Sequence, residues 1–126
     1  MEAVTIQKFI HTSPRKLRLV ADMVRKVEPL KALELMRFTF KYASKDLADA
    51  IKTALANAKQ KGIDEEKVVF KKIEINESMK MRRYRAGTRG RVKPYKRRMS
   101  NIKIVLTDEL TKNLELKTKN KKEDKD

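Results

Sequence analysis

Apolar and polar side chains alternate along the first ten positions of the chain. Within the segment AVTIQKFI, Val4, Ile6 and Ile10 fall on one side. Thr5 and Gln7 fall on the other side. A period of two residues is typical of a β-strand with one buried face. The pattern therefore predicts a short, half-buried strand whose valine and isoleucine side chains provide the apolar face.

The spacing changes at TSPRKLRLVADMVRKV, where apolar residues recur every three or four positions. Ser13 precedes Pro14, and this order predicts an N-cap followed by a first helical position at which the missing N–H of proline costs nothing. The apolar stripe comprises Leu17, Val20, Ala21, Val24 and Val27, whereas another face carries Arg15, Arg18, Asp22 and Arg25. We expect a helix that packs one side on the core and presents a basic side.

Two further segments have helical spacing. Glu28 and Pro29 restart the chain, and PLKALELMRFTF predicts a largely buried second helix through Leu30, Leu33, Met36 and Phe40. Met23 and Met36 lie in helical stripes, and we assign both to the core. The alanine-rich segment KYASKDLADAIKTALANAKQKG predicts a third helix, with a stripe of Leu47, Ile51, Leu55 and Ala58 and with Gly62 as its stop.

The period returns to two in the last third of the chain. VVFKKIEI places Val69, Ile73 and Ile75 on one face of a strand, and NIKIVL does the same with Ile102, Ile104 and Leu106. Between these predicted strands, Gly87 and Gly90 can adopt the positive φ angles of a tight turn. We therefore expect a long hairpin over about residues 79–100 and a fold of the α/β (α+β) class.

Composition and charge narrow the range of functions. The 126 residues include 33 Lys and Arg against 17 Asp and Glu, a formal net charge of +16, which is typical of proteins that bind polyanions. The length suits a single domain, which we place at residues 1–110, followed by a disordered charged tail at 111–126. The chain has no cysteine, which excludes disulfides and fits a reducing compartment. We expect a soluble protein that begins as mature sequence, because neither a membrane-spanning run nor a leader pattern is present.

The excess of cations is concentrated in the predicted hairpin. No Asp or Glu occurs from Ser78 through Thr107, whereas eleven Lys and Arg do. Like charges on an isolated two-stranded ribbon repel one another, and two strands alone are only marginally stable in water. We therefore expect the ribbon to order on a polyanion, with a solvated charge run as the plain alternative. Tyr84 and Tyr95 are equally consistent with stacking on unpaired bases and with covering the sheet.

Signals of catalysis are weak. His11 is the only histidine and has no cysteine or acidic cluster near it in sequence, so we interpret it as structural or RNA-facing rather than as a metal ligand. Asp64 to Glu66 are most simply a solvated turn. The sequence contains neither a phosphate-cradling Gly-Lys-Ser loop nor a nucleophile elbow. We predict no enzymatic activity, no cofactor and no metal site.

Three segments carry a resemblance to a known family. SPRKLRLVADMVRK, ANAKQKGID and SMKMRRYRAGTRGRVKPYKRRMSNIKIVL, in this order, resemble the bacterial-type L22 family of large-subunit ribosomal proteins over about residues 3–108. The resemblance implies three helices on a three-stranded antiparallel sheet and a position on ribosomal RNA near the exit of the peptide tunnel, with the hairpin reaching inward. It also implies a monomer within the cytoplasmic ribosome that contacts ribosomal RNA, neighbouring ribosomal proteins and the nascent peptide, without a membrane.

The resemblance and the charge pattern together identify candidate RNA-binding residues. Arg15, Lys16 and Arg18 match RNA-facing positions of the family, and helical spacing independently places Arg15 and Arg18 away from the apolar stripe. The full set is Arg15, Lys16, Arg18, Arg25, Lys80, Arg82, Arg83, Arg85, Arg89, Arg91, Lys93, Lys96, Arg97 and Arg98. The hairpin tip, Thr88, Arg89, Gly90, Arg91 and Val92, matches the family's tunnel-wall segment.

A DNA-architectural protein is the alternative function, because small basic proteins with β-ribbon arms also bend duplex DNA through its minor groove. Such arms require dimer symmetry. A single long hairpin on a monomeric domain favours RNA.

Overall fold

A computed structural model describes residues 1–108 as an α+β fold, which confirms the predicted class. Its strands are β1 (Glu2–Ile10), β2 (Val68–Ala86) and β3 (Val92–Asp108), and its helices are α1 (Pro14–Val24), α2 (Pro29–Phe38) and α3 (Tyr42–Gln60). The strands form one antiparallel sheet in the order β1-β3-β2, so β3 is central. The predicted tail at 111–126 lies outside the described residues.

The core lies between the helices and one face of the sheet. α3 packs across β1 and β3, α1 lies over β2 and β3, and α2 contacts mainly α3. The predicted stripes are confirmed in α1, α3 and β3, whose buried members include Leu17, Val20, Ala21, Val24, Leu47, Ile51, Leu55, Ala58, Ile102, Ile104 and Leu106. Val27 lies beyond the end of α1 and is half-buried. Gly62, which follows the C-cap residue Lys61 of α3, has a φ of +74°, as expected of a glycine that ends a helix.

The buried face of β1 is the opposite of the predicted one. Ala3 and Thr5 face the core, whereas Val4 and Ile6 are exposed on the outer face of the sheet. This face of β1 packs against the alanine-rich helix α3, and the small side chains of Ala3 and Thr5 suit close packing there. Thr5 is tolerated there because the side-chain amide of Asn57 donates a hydrogen bond of 2.8 Å to its hydroxyl.

A bulge near the end of β1 explains why Ile10 still packs against the core. The register of β1 shifts between Gln7 and Ile10, and Phe9 in this stretch has a φ of +59°. The backbone N–H of Phe9 donates to the side-chain oxygen of Asn101 over 3.0 Å, which occupies a donor released from the ladder. Ile10 then contacts the core as a partly buried residue.

A second bulge corrects the prediction for β2. The register shifts between Phe70 and Lys72, so the buried set is Val68, Phe70, Ile73 and Ile75. Val69, which the sequence pattern grouped with Ile73 and Ile75, is on the other face because one extra residue inverts the alternation. Ile73 and Ile75 are buried as predicted.

The second helix is shorter and less buried than predicted. It ends at Phe38, so Phe40 lies outside the helix and is fully exposed. Leu30 is also exposed, and only Pro29, Ala32 and Met36 of α2 are buried, because this helix packs on the edge of α3 and not between two layers. Met23 of α1 is likewise exposed, contrary to its assignment to the core.

Replacing core and surface isoleucines should distinguish the two faces of the sheet. Ile104 is fully buried, so Ile104→Ala should lower the free energy of unfolding by about 2–5 kcal/mol. Ile6 is 55% exposed on the outer face, and Ile6→Ala should cost less than about 1 kcal/mol. Urea denaturation of the free chain measures both values. Equal losses would contradict the orientation of β1.

Candidate nucleic-acid interface

The hairpin extends well beyond the core. After a bulge between Glu77 and Lys80, β2 and β3 remain paired from Lys80↔Arg98 to Ala86↔Val92. At about 3.3 Å per residue, the nine steps from Glu77 to Ala86 reach roughly 30 Å from the sheet. We call residues 79–98 the basic ribbon, because they contain ten Lys and Arg and no acid.

The register places like charges directly opposite each other. The pairs Lys80↔Arg98, Arg82↔Lys96 and Arg85↔Lys93 each join two cations across the ladder. Like charges at such positions destabilise a β-ladder. The ribbon therefore forms against an electrostatic penalty that its own side chains do not relieve.

Cations occupy both faces of the basic ribbon. Paired residues share a face and successive residues alternate between faces. One face carries Lys80, Arg82, Lys96 and Arg98, and the other carries Arg83, Arg85, Lys93 and Arg97. Neither face has the continuous apolar surface that would pack on the protein's own core. A partner that neutralises this ribbon must therefore approach it from two sides.

Acidic side chains are held elsewhere on the described part of the chain. There, the ribbon's one ion pair is between Lys80 and Glu77, 3.3 Å apart at its base. On the sheet, the hydrogen bond and charge of Lys71 lower the pKa of Glu2. Glu74 similarly has its pKa lowered by its hydrogen bond to Lys72, with a further contribution from Lys103. These carboxylates neutralise lysines of the sheet and leave the ribbon's charge uncompensated.

The tip is a tight turn with two left-handed residues. A short 3-10 turn, Thr88–Gly90, joins the arms, and Arg89 and Gly90 have φ angles of +56° and +68°. The N–H of Gly87 donates to the carbonyl of Arg91 over 2.6 Å and closes the turn. Thr88 through Val92, the predicted tip, are all exposed.

The two tyrosines belong to the ribbon and not to the core. Tyr84 is largely exposed opposite Pro94. The guanidinium carbon of Arg85 lies 4.8 Å from the centre of the Tyr95 ring, a cation–π arrangement that fixes this ring on the ribbon surface. Neither ring joins the buried cluster, so covering the sheet is not their role.

The cations of α1 fall into two groups. Arg15 and Lys16 are exposed and have no acidic partner among the described residues. By contrast, the Arg18 guanidinium donates two hydrogen bonds, of 3.0 and 3.3 Å, to the carbonyl of Ile75 on the free edge of β2. Arg25 pairs with Asp22 over 3.0 Å. Arg18 and Arg25 thus have contacts within the protein that the helical spacing did not indicate.

A groove of about 610 Å³ lies where α1, the start of α3 and the base of the basic ribbon meet. It is lined by Lys16 of α1, by Lys41 and Tyr42 at the start of α3, and by ribbon residues that include Arg85, Tyr95, Lys96, Arg97 and Arg98. His11 also lines it. Sequence reasoning missed Lys41 and Tyr42, because RFTF was assigned to the buried second helix and KY to the start of the third. The alternation of aromatic and basic residues in RFTFKY was the available signal.

Residues 1–108 offer no metal-binding cluster and no membrane-spanning helix. No group of three or more His, Asp or Glu side chains in this part could hold a metal ion. None of the helices described there is long and apolar enough to cross a membrane.

Comparison with known proteins gives one consistent result. The family profile described as ribosomal protein L22p/L17e matches residues 5–107. The protein named large ribosomal subunit protein uL22 of Leptospira biflexa is 36% identical over 110 residues, which cover 86% of this chain and 95% of that protein. The proteins of the same name from Syntrophus aciditrophicus and Fusobacterium nucleatum are each 36% identical over 86% of this chain and 99% of their own length.

Removing Arg18 should lower the stability of the fold. Arg18→Ala deletes both hydrogen bonds to Ile75 and should lower the free energy of unfolding by about 1 kcal/mol. Arg15→Ala, on the same exposed face, should change it by less than about 0.5 kcal/mol. Urea denaturation of the two variants checks this. An unchanged Arg18→Ala variant would mean that this contact contributes nothing to the fold.

Proposed function

This chain belongs to the ribosomal protein L22p/L17e family, and on that premise we propose that it binds and organises large-subunit ribosomal RNA, with its hairpin lining the nascent-peptide tunnel. In this role it is a structural constituent of the large subunit in the cytoplasm, present as a monomer beside neighbouring ribosomal proteins. The proposal assigns it no catalysis and no cofactor.

The main support for RNA binding is the distribution of cations on the basic ribbon. They occupy both of its faces, and neither face is apolar. Phosphates remove the repulsion between opposed cations such as Arg82 and Lys96, so binding and ordering of the ribbon support each other. Cations on two faces fit a ribbon inserted between RNA segments better than one laid on the surface of a single duplex. A tightly folded RNA with closely spaced backbones offers such a site.

The groove at the base of the ribbon provides a second set of contacts. Lys16, Arg97 and Arg98 line it from two different elements. RNA held there would fix the ribbon's direction relative to the helices. Phosphate contacts of this kind position a protein on its nucleic acid without specifying sequence.

The tip is proposed to meet the nascent peptide. Its residues are exposed at the end of the ribbon, roughly 30 Å from the sheet and free of contact with the protein's own core. A turn closed by its own hydrogen bonds can line a channel without support from the rest of the chain. The core and the groove would then anchor the protein, while Thr88 to Val92 face the tunnel.

The DNA-architectural alternative is less well supported. It requires dimer symmetry, whereas the family match covers a ribosomal protein over nearly the whole described chain.

Binding to large-subunit RNA should weaken steeply with salt. If six to ten phosphates are contacted, affinity for purified bacterial large-subunit RNA should fall about a thousandfold or more between about 50 and 200 mM salt. The double variant Arg97→Gln/Arg98→Gln should bind more weakly and reduce the slope of log affinity against log salt by about one per lost contact. Filter binding across a salt series measures both effects.

A variant with the same charge change is the control. Lys52→Gln/Lys59→Gln removes two cations of α3, which lie near Asp49 and Glu65 and away from the groove. It should leave the salt slope within error of the original chain. A flat salt response, or equal losses in both variants, would contradict RNA binding through the ribbon.

Backbone strain at the tip should alter the tunnel without preventing assembly. At Gly90 a side chain would meet nothing within 4 Å, so the penalty for Gly90→Val comes from the φ of +68° and is about 1–3 kcal/mol. We expect ribosomes with this variant to have normal composition but altered pausing on nascent chains that sense the tunnel wall. Ribosome profiling measures the pausing.

Asparagine provides the matched control, because it adopts left-handed backbone more readily than other residues with a side chain. Gly90→Asn should keep the turn and pause more nearly as the original chain does. Identical pausing in both variants and the original would remove the tip from the tunnel wall. Failure of Gly90→Val to enter the subunit would mean that the tip is required for anchoring.

A further inference from the structure

The connection between α2 and α3 displays three aromatic side chains to solvent. Phe38 is 80% exposed, Tyr42 is 78% exposed, and Phe40 between them is fully exposed. We call residues 38–42 the aromatic turn. Exposure of one large apolar residue is ordinary, but three within five residues indicate a surface with a partner.

Hydrogen bonds hold the aromatic turn in place. The N–H of Lys41 donates to the carbonyl of Thr39 over 2.9 Å, which makes a three-residue turn with Phe40 at its centre. The buried hydroxyl of Ser44 donates to the carbonyls of Thr39 and Lys41 over 3.0 and 2.6 Å. The Thr39 hydroxyl donates to the carbonyl of Leu35 over 2.8 Å. Phe40 therefore projects from a fixed backbone, and its exposure does not come from a loose segment.

The charges around the aromatic turn are positive. Arg37 and Lys41 alternate with the rings, and Lys45 follows one turn into α3. The nearest acid on that helix, Asp46, is occupied by a hydrogen bond from the Thr12 hydroxyl. Cationic and aromatic side chains in alternation match a single-stranded nucleic acid, whose phosphates take the cations and whose bases take the rings.

The aromatic turn also continues the proposed RNA surface. Lys41 and Tyr42 line the same groove as Tyr95, Arg97 and Arg98 of the ribbon base. Phe40 lies two residues before Tyr42, so RNA that leaves this groove past the start of α3 would pass the aromatic turn. A protein partner is a poorer match, because interface centres are depleted in lysine.

We propose that the aromatic turn is a stacking site for unpaired nucleotides of the RNA that the ribbon binds, with bases on Phe40 and Tyr42 and phosphates on Arg37 and Lys41. The inference rests on the proposed function and adds a contact of different chemistry to it. The ribbon neutralises phosphates of any RNA, whereas the aromatic turn selects RNA whose bases are free to stack.

The test compares two RNA probes on the free chain. Fluorescence anisotropy measures binding of a ten-nucleotide oligoadenylate and of a ten-base-pair RNA duplex. The double variant Phe40→Ala/Tyr42→Ala should bind the single strand about tenfold or more weakly and the duplex less than about twofold more weakly. Phe40→Leu keeps an apolar side chain without a flat ring, so it should lose most of the single-strand affinity that Phe40→Ala loses.

Two control variants separate stacking from general effects. Ile6→Ala removes an exposed apolar side chain on the outer face of the sheet and should leave both probes unaffected. Arg97→Gln/Arg98→Gln should weaken both probes, because it removes charge from the shared groove.

Several results would overturn the stacking site. Unchanged single-strand binding by Phe40→Ala/Tyr42→Ala, or equal losses on both probes, would exclude it while leaving RNA binding by the ribbon intact. Self-association in sedimentation that Phe40→Ala abolishes would identify a second copy as the partner instead. By contrast, failure of Arg97→Gln/Arg98→Gln to weaken either probe would count against the proposed function itself.

Discussion

Repulsion between cations on the ribbon is the constraint around which this chain is organised. Three cross-strand pairs oppose two like charges, and the arms are held together by the backbone ladder and by the contact of Arg85 with the Tyr95 ring. An isolated two-stranded ribbon of this kind would be only marginally stable in water. It is sustained here because β3, the ribbon's second arm, is also the central strand of the core sheet. The buried residues Ile102, Ile104 and Leu106 anchor the core end of β3, whereas its other end is exposed in the basic ribbon.

Acidic side chains are placed on the core sheet and not on the basic ribbon. Carboxylates on the sheet are engaged by Lys71, Lys72 and Lys103, so the sheet is locally neutralised where it must be stable without a partner. The ribbon keeps its cations uncompensated where a partner is expected. The long helix α3 takes no part in that surface except at its first turn, where Lys41 and Tyr42 reach the groove.

The sequence predicted the elements well and their faces less well. Stripes made of several large apolar residues, such as Leu47, Ile51 and Leu55, have one energetically reasonable orientation, and the structure has it. β1 was assigned the wrong face because the larger apolar residues were given to the core, whereas Ala3 and Thr5 pack against α3. Bulges are also difficult to predict from sequence. One unpaired residue inverts the alternation of buried and exposed positions, and no particular residue type marks it.

The candidate site was also predictable only in part. Charge density and the absence of acids identified the ribbon directly, because repulsion depends on composition more than on conformation. The internal bonds of Arg18 and the exposure of Phe40 could not be predicted, since both depend on which element lies nearby in space. A guanidinium that faces solvent on a helical wheel can still reach a strand edge, as Arg18 reaches the carbonyl of Ile75.

The unbroken pairing from Lys80 to Val92 also limits how this hairpin can change length. Adding one residue to an arm would exchange its outward and inward side chains beyond that point, and the two charged faces would no longer match those of the other arm. Adding two residues to each arm would lengthen the ribbon by about 7 Å and preserve both faces. Insertions and deletions in hairpins of this type should therefore accumulate in even steps along the arms, with odd changes confined to the turn or absorbed by a new bulge.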